Sequence, residues 1–421
     1  MVAEYHVDEV DTEKVAATIV DPLDQLARDG ARHMLQRALE TEVDEFLGRE
    51  RYQRSEAFRG YRNGHGRKRT VAIGTWAVPV EVPRVSDTPA GAATFASKVL
   101  PKRKRMSHET QKLFARLYLE GLSTGDFEPV FRQLLGETAP LSPSTLIRIK
   151  ADWQAEYDAW RNRPLERERF VYIWADAIYL GAGLEKQNSC LLTLIGARAD
   201  GTKELMAIEI GYRESKPSWA DVLRHLRDRG LRAPLLVIAD GNLGIWGALD
   251  EVWPETQRQR CWNHRRLNLM DKLPKRLQPE AGSRLAQLYE APTRSTCETR
   301  REELTAWLRA QHQEPAAQTV LREWDDFVTF YDFPQDHWIH LRTTNPLESV
   351  FSGVRLRTDV AKRARQRENA LYLVWKIVLR LGRNWRALNG GPHLMQMVAA
   401  GAIFKDGALV ESDQLTEVKV A

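Results

Sequence analysis

The first hundred residues contain two different spacings of hydrophobic positions. In residues 24–46, apolar side chains recur every three or four positions, which predicts an amphipathic helix. In residues 70–87, Trp76, Val78, Val80 and Val82 occupy alternate positions and Gly74 separates two runs, which predicts a hairpin or small sheet. Pro79 and Pro83 lack the N–H that a central strand needs, so we expect this segment to form a sheet edge.

Residues 107–160 divide into three helical units, each opened by a serine, two of which end at a glycine. This order is typical of a helix-turn-helix. Recognition helices present side chains to the major groove from their N-terminal half, and here that half contains Ser144, Thr145 and Arg148. Three helices with a purely structural role remain an equal alternative.

From residue 170 the pattern becomes α/β. Three apolar segments predict strands, the segment "SWADVLRHLRDRGL" predicts a helix, and "PLLVIAD" predicts a further strand. Residues 245–340 are predicted to be mostly helical and include six tryptophans, and a long basic helix is expected from residue 346. The tail after about residue 402 is expected to be loosely ordered.

Composition narrows the class of protein. The chain has 421 residues, which predicts two to four domains of roughly 100 to 200 residues. It has no run of about 18 apolar residues to span a membrane, and its acidic N-terminus is unlike a signal peptide, so a cytoplasmic location is expected. Three scattered cysteines are too few for a disulfide framework.

The net charge of +5 is modest but unevenly distributed. Residues 51–70 hold seven Arg and Lys against Glu56, and residues 355–383 hold nine against two acids. Together with "PKRKR" at 101–105, this clustering favours a nucleic-acid partner, whereas either stretch alone could be a solvated face. The candidate phosphate contacts are Arg62, Arg67, Lys68, Arg69, Arg355, Arg357, Lys362 and Arg363.

Three acids stand at positions that call for an explanation. Asp176 interrupts the most apolar predicted strand, where an unpaired carboxylate would cost roughly several kcal/mol. Asp240 ends a strand, where α/β sheets bind ligands, although Asp-Gly is also an ordinary turn. Glu348 lies in "TTNPLES", where Asn345 could cap a helix that begins at Pro346, with Glu348 in a capping box.

Convergence of the three acids would have a chemical purpose. Carboxylate oxygens are preferred ligands of Mg²⁺, and two such ions about 3.5 to 4 Å apart can hold the attacking and leaving oxygens of a phosphodiester. An Asp-Asp-Glu cluster therefore suits phosphoryl transfer on nucleic acid.

From about residue 35 to 400 the chain resembles the Mutator-like group of DDE transposases, in its bacterial insertion-sequence branch. The matching segments are "RNG" at 62–64, "VEVPR" at 80–84, "GLSTGD" at 121–126, "LSPSTLIRI" at 141–149, "NRPLE" at 162–166, "WADAIYL", "GYRESKPSW", "ADGNLGIWGAL", "QRCWNHRRLN" and "TTNPLES". The resemblance implies an RNase H-like catalytic domain in which Asp176, Asp240 and Glu348 are the catalytic, metal-binding acids. A helical insertion then separates the second acid from the third.

Cys261 and His264 are similar to the family's Cys-x-x-His signature, which implies a place beside the active site. A zinc site that adds His337 and His340 is a less favoured alternative, because that second pair is not part of the family pattern. The tryptophans of residues 245–340 resemble those that stabilise flipped bases in related transposases, but core packing is the favoured role for any single one.

The expected protein is a transposase that binds the terminal inverted repeats of its element and cuts and joins double-stranded DNA with two Mg²⁺ ions, for which Mn²⁺ substitutes. We expect a homodimer on DNA, associated with the nucleoid and with no membrane contact. The alternatives are a non-catalytic, domesticated DNA-binding protein and a metal-dependent nuclease without joining.

The expected fold is an α/β RNase H-like catalytic domain with a large all-helical insertion, preceded by a basic N-terminal region and a helix-turn-helix. The predicted boundaries are 1–105 (basic helical and hairpin region), 106–165 (helix-turn-helix), 166–250 and 341–401 (catalytic domain), 251–340 (insertion) and 402–421 (tail).

Overall fold

A computed structural model describes residues 21–410, apart from 55–56, 120–128, 131, 133–134, 136–142, 180–188, 242 and 359–366. The chain divides into two units, Met1–Ile149 and Lys150–Ala421. No helix in the described part of the chain is long and apolar enough to cross a lipid bilayer.

The first unit pairs a long helix with short strands. Helix α1 (Pro22–Leu47) begins where Asp21 accepts the N–H of Leu23 and ends at Gly48, whose φ of 66° is left-handed. The antiparallel strands are β1 (Tyr61–His65), β2 (Arg69–Ile73), β3 (Trp76–Val80) and β4 (Pro83–Ser86), with β1 paired to β4 and β2 to β3. Leu39 of α1 packs with Val71, Val78 and Val80. The predicted helix and hairpin are therefore confirmed, but the predicted apolar face is buried only at Leu39 and Val43, whereas Leu26 and Met34 are exposed.

Two further helices follow, α2 (His108–Leu119) and α3 (Pro143–Arg161). The middle unit of the predicted helix-turn-helix falls largely outside the described residues. The side chains of residues 143–150 are also outside the described part, so the recognition role of Ser144, Thr145 and Arg148 stays a prediction.

The second unit is built on a five-stranded sheet with the order β7-β6-β5-β8-β9. The elements of residues 170–260 are, in chain order, β5 (Phe170–Ile178), β6 (Ser189–Arg198), β7 (Lys203–Tyr212), α4 (Lys216–Asp228), β8 (Leu236–Ala239), α5 (Leu243–Val252) and β9 (Gln257–Arg260). Strands β5, β6 and β7 are antiparallel, whereas β8 and β9 run parallel to β5. The predicted order of three strands, a helix and a strand is confirmed.

Strand β5 has two different faces because side chains alternate along it. Ile173, Ala175 and Ala177 belong to a core that also contains Trp219 of α4. The other face carries Tyr172, Trp174 and Asp176, and there the indole N–H of Trp174 donates to the carbonyl of His340. Asp176 therefore faces the C-terminal helices rather than the α4 side of the sheet.

Residues 262–341 form a series of helices. They are α6 (Trp262–Met270), α7 (Gln278–Tyr289), α8 (Arg294–Ala310), α9 (Glu314–Leu321), α10 (Asp325–Val328), the 3-10 turns Thr329–Asp332 and Gln335–His337, and α11 (Trp338–Leu341). The helical prediction for 245–340 holds except at β9, whose sequence QRQR lacks the apolar alternation of a strand.

The C-terminal elements are α12 (Asn345–Thr358), α13 (Arg367–Gly382), α14 (Gly391–Ala399), β10 (Phe404–Lys405) and β11 (Ala408–Leu409). Helix α12 packs against β5 and β6. The expectation of loose order from residue 402 is wrong for 404–409, which form a hairpin, and Gly407 donates its N–H to the carbonyl of Tyr331.

Candidate active site

Strand register places three chemically reactive side chains side by side. Ala175 of β5 pairs with Ala239 of β8, and Ala239 pairs with Arg260 of β9. The next residues along the three strands are Asp176, Asp240 and Cys261. Because these strands are parallel, all three residues lie at the carboxyl edge of the sheet, where α/β proteins bind ligands.

Burial strongly disfavours ionisation of the Asp176 carboxyl group. Burial, together with the charges of Glu214 and Asp240, raises the pKa of Asp176 to about 7, even though the N–H of Ala177 donates to Oδ1 at 2.8 Å and the nearby His264 favours ionisation. A carboxylate that is costly to ionise in isolation gains most from a cation beside it.

His264 lies between the two aspartates and Glu348. Its Nε2 is 3.9 Å from Oδ2 of Asp240. One ring nitrogen of His264, the sulfur of Cys261 and a carboxylate oxygen of Glu348 all lie within 4.8 Å of one another. Burial by itself would lower the pKa of His264, but Cys261, Asp240 and Asp176 raise it to about 9. The imidazole therefore carries a positive charge at neutral pH, which partly offsets the acids.

The start of α12 fixes Glu348. The hydroxyl of Thr344 donates to Oε1 of Glu348 at 3.2 Å, and Nδ2 of Asn263 lies 3.2 Å from Oε2. The same amide donates to Oδ1 of Asn345 at 2.7 Å, and the N–H of Thr344 donates to the sulfur of Cys261 at 3.3 Å. The Glu348 carboxylate is thus oriented by groups from both α6 and the residue before α12.

The predicted capping role of Asn345 is wrong. Helix α12 begins at Asn345 itself, and the N–H groups of Leu347 and Glu348 donate to the carbonyl of Thr344, which occupies the capping position. Glu348 is then the fourth helical residue, one beyond the position of a capping box. Its carboxylate bonds to side chains, so a cap does not account for it.

The structure brings the three predicted acids to one edge of the sheet without joining them as a single ligand cluster. Within the described residues, the set of possible ligand atoms that lie within 4.8 Å of one another comes from Cys261, His264 and Glu348. His337 and His340 are not part of that set: His337 Nδ1 lies 2.9 Å from the hydroxyl of Tyr172, and His340 Nε2 accepts the N–H of Asn389 at 3.4 Å. The four-ligand zinc alternative is therefore not assembled.

A fourth carboxylate, Glu214, lies near the site and was missed from the sequence. It follows β7, and the hydroxyl of Tyr179 donates to it at 3.1 Å. Burial raises the pKa of Glu214, and Asp240 raises it further. A Cβ added at Gly244 would overlap the carbonyl oxygen of Glu214, so a glycine four residues after Asp240 permits this close approach. That glycine was the available signal in the sequence.

The basic residues predicted to contact DNA differ in whether their side chains are paired within the protein or exposed to solvent. Arg62 forms ion pairs with Glu40 and Asp44 of α1, and Arg69 donates to the carbonyl of Leu100 at 2.9 Å. Arg67 and Lys68 are exposed. Arg355 is exposed on α12, the side chain of Arg357 is not described, and Lys362 and Arg363 lie outside the described residues.

The tryptophans of residues 245–340 pack mainly into the interior. Trp246, Trp253, Trp262, Trp324 and Trp338 are each at most 8% exposed, and only Trp307 is partly accessible. The indole N–H of Trp262 donates to the carbonyl of Phe327 at 3.0 Å. The favoured prediction of core packing is confirmed for these five side chains.

Comparison with known proteins identifies relatives along most of the chain. Residues 3–387 match the family described as "Transposase, Mutator family". The chain is 44% identical to the transposase for insertion sequence element IS6120 of Mycolicibacterium smegmatis, over 70% of this chain and 91% of that protein. It is 38% identical to the transposase for insertion sequence element IST2 of Acidithiobacillus ferrooxidans, over 65% of this chain and 93% of that protein.

Proposed function

This chain belongs to the Mutator family of transposases, and from that membership we propose that it cuts and joins DNA at the ends of an insertion sequence, using Asp176, Asp240 and Glu348 as metal-binding acids. The observation that carries the proposal is the register of β5 and β8, which sets the two aspartates side by side at the carboxyl edge of the sheet. Helix α12 packs against β5 and brings Glu348 toward the same edge.

The donor set fits Mg²⁺. Asp176 and Asp240 offer hard carboxylate oxygens, and the raised pKa of Asp176 marks a position that a cation would stabilise. Glu348 could contribute a third carboxylate from α12. Mg²⁺ ions held there would neutralise charge on the scissile phosphate and lower the pKa of the attacking water or 3′-hydroxyl. We infer that Mn²⁺ can substitute, because it prefers the same oxygen ligands.

Neighbouring side chains orient these acids by hydrogen bonds and compensate part of their negative charge. Thr344 and Asn263 direct the Glu348 carboxylate, and the positively charged His264 offsets Asp240. Cys261 accepts from Thr344 and so ties the end of β9 to the start of α12. Such fixed polar groups reduce the reorganisation needed at the transition state.

The order of the sheet, three antiparallel strands followed by two parallel ones, supports an RNase H-like assignment for the second unit, with the helices between β9 and α12 as the insertion. The exposed Arg67 and Lys68 support DNA contact by the first unit. We infer that duplex DNA bearing the element's terminal repeats is the substrate and that two copies of the chain act on it.

The test is incubation of purified protein with Mg²⁺, labelled element ends and a plasmid. We expect cut ends and joined product from the wild type and neither from Asp176→Asn or Asp240→Asn. Cutting without joining would indicate a nuclease. Binding with no metal-dependent cutting would indicate a non-catalytic DNA-binding protein, and either result would overturn the proposal.

A further inference from the structure

A cavity of about 920 Å³ opens beside Asp240 and extends between the end of β9, α6 and the helices α9 and α10. It lies within the second unit, and apart from Asp240 and Cys261 its lining residues were assigned no role from the sequence. Its volume falls in the range of ligand sites, about 300 to 1,000 Å³. The cavity is therefore large enough to hold part of a substrate that also reaches the acids.

The lining is rich in cations. Among the described residues it includes four basic side chains, Arg260, Arg265, Lys272 and Arg322, and three acidic ones, Asp240, Asp271 and Glu323. Glu323 forms an ion pair with Arg260. Asp240 is assigned above to the metal site, so Asp271 is the one acid left to balance the remaining three cations.

Arg265 is the most unusual of these cations. It is only 5% exposed, its guanidinium lies 3.8 Å from the ring centre of Phe327, and Nη2 donates to the carbonyl of Arg322 at 2.7 Å. No carboxylate in the described part of the chain pairs with it. Burial, with the nearby charges of Arg260 and Arg322, lowers the pKa of Arg265 to about 9, although the charge of Asp240 acts in the opposite direction. A buried cation that forms no ion pair is costly, and an anion in the cavity would relieve that cost.

The residues that line the cavity next to Asp240 are closely packed. The guanidinium of Arg260 lies so close to Gly241 that an added Cβ would overlap it. Glu323, the partner of Arg260, has a φ of 52°, a left-handed conformation that non-glycine residues rarely adopt. Strained residues of this kind cluster at ligand-binding positions, where the surrounding structure holds them.

We propose that this cavity binds phosphate groups of the DNA strand that continues from the catalytic acids. The inference rests on the proposed function, since it takes DNA as the substrate. Lys272 and Arg322 are exposed at the rim, and Lys272 is steadied by a bond from Nζ to the hydroxyl of Thr319 at 2.6 Å. Phe327, the aromatic residue among the described lining, is only 3% exposed and is contacted by the guanidinium groups of Arg265 and Arg260, so it offers no open face on which a base could stack. Binding is therefore to the backbone and independent of base sequence.

The test measures binding without chemistry. Fluorescence anisotropy of a labelled 12-nucleotide oligothymidylate is recorded in EDTA across a range of salt concentrations. Each phosphate contact to single-stranded DNA contributes about 0.7 to the slope of log affinity against log salt, so the double variant Lys272→Gln/Arg322→Gln should lower the slope by about 1.4. The matched control, Lys275→Gln/Arg276→Gln, removes two exposed cations outside the cavity lining and should leave the slope unchanged.

A second probe identifies the contacted group. Replacing the phosphates of the oligonucleotide with neutral methylphosphonates should weaken wild-type binding more than binding of Lys272→Gln/Arg322→Gln. A wild-type slope in that variant, or equal sensitivity of both proteins to methylphosphonates, overturns the proposal. Because the assay contains no divalent metal, failure of DNA cutting by the wild type would refute the proposed function without changing these results.

Discussion

Nε2 of His264 lies 3.9 Å from Oδ2 of Asp240, and the same imidazole reaches Cys261 and Glu348. This relationship joins two parts of the site that come from different elements. The aspartates are positioned by pairing between strands, whereas Glu348 is positioned by the start of α12. The histidine's charge compensates acids that would otherwise repel one another across that junction.

The raised pKa of Asp176 has a consequence for stability. In the folded, metal-free protein the carboxyl keeps its proton up to about pH 7, whereas an unfolded chain loses it near pH 3.9. The folded state therefore binds more protons across this window, and stability falls as pH rises from about 4 to about 7. Asp176→Asn should remove this fall and be more stable than wild type at pH 8 by about 4 kcal/mol in EDTA, since the carboxyl pKa differs by about 3 between the folded and unfolded states, at about 1.4 kcal/mol for each pKa unit.

Urea denaturation at pH 4 and pH 8 checks this expectation, and the two proteins should differ little at pH 4. The exposed Asp152→Asn serves as the control and should not change the pH dependence. A variant at position 176 that is no more stable than wild type at pH 8 would show that Asp176 is not destabilising in the absence of metal.

Gly244 allows the backbone beside Glu214 to approach α5. Gly244→Ala should destabilise the protein by about 1 to 3 kcal/mol, because the new methyl group overlaps the carbonyl oxygen of Glu214. Gly282→Ala in α7 is the matched control, since its nearest neighbours lie at 3.8 Å, and it should stabilise by about 0.5 to 1 kcal/mol. Chemical denaturation measures both, and equal effects of the two substitutions would refute the close approach at 244.

Thr344 is a positioning residue for Glu348. Thr344→Val keeps the shape of this fully buried side chain but removes the hydroxyl that donates to Oε1. Loss of an orienting group around a metal ligand typically costs about 10- to 100-fold in activity or metal affinity. We expect that loss in Mg²⁺-dependent cleavage, with the Mg²⁺ concentration for half-maximal rate raised. Thr344→Ser retains the hydroxyl and should restore both values. Equal losses in the two variants would indicate a packing role alone.

Arg67 and Lys68 are the exposed candidates for phosphate contact in the first unit. Changing both to alanine should flatten the slope of log affinity against log salt by about 0.9 for each contact to duplex DNA. Arg62→Ala should instead act mainly on stability, because Arg62 is paired with Glu40 and Asp44. Titrations of an element-end duplex at several salt concentrations test this. An unchanged slope would indicate that residues 67 and 68 lie on a solvated surface that does not contact DNA phosphates.

Sequence reasoning proposed the three acids and placed Cys261 and His264 beside them, but it did not anticipate Glu214 or the contacts made by Thr344 and Asn263. Asp176 was predictable because a carboxylate in an apolar strand requires a partner. Strand β9 was missed because QRQR has no hydrophobic alternation, and its pairing depends on β8 beside it. The cap was assigned to Asn345 because the sequence shows only residue type, whereas the choice of Thr344 depends on contacts with Cys261 and Glu348. Glu214 becomes recognisable only once α5 packs against it.

The most direct test of the account is Mg²⁺-dependent strand cleavage by Glu348→Gln, measured beside its melting temperature. A glutamine amide oxygen can still accept from Thr344 but is a far poorer ligand for Mg²⁺ than a carboxylate. We expect a melting temperature close to wild type, unchanged binding of element ends, and cleavage lower by orders of magnitude. Wild-type cleavage by Glu348→Gln would contradict the assignment of Asp176, Asp240 and Glu348 as the catalytic acids.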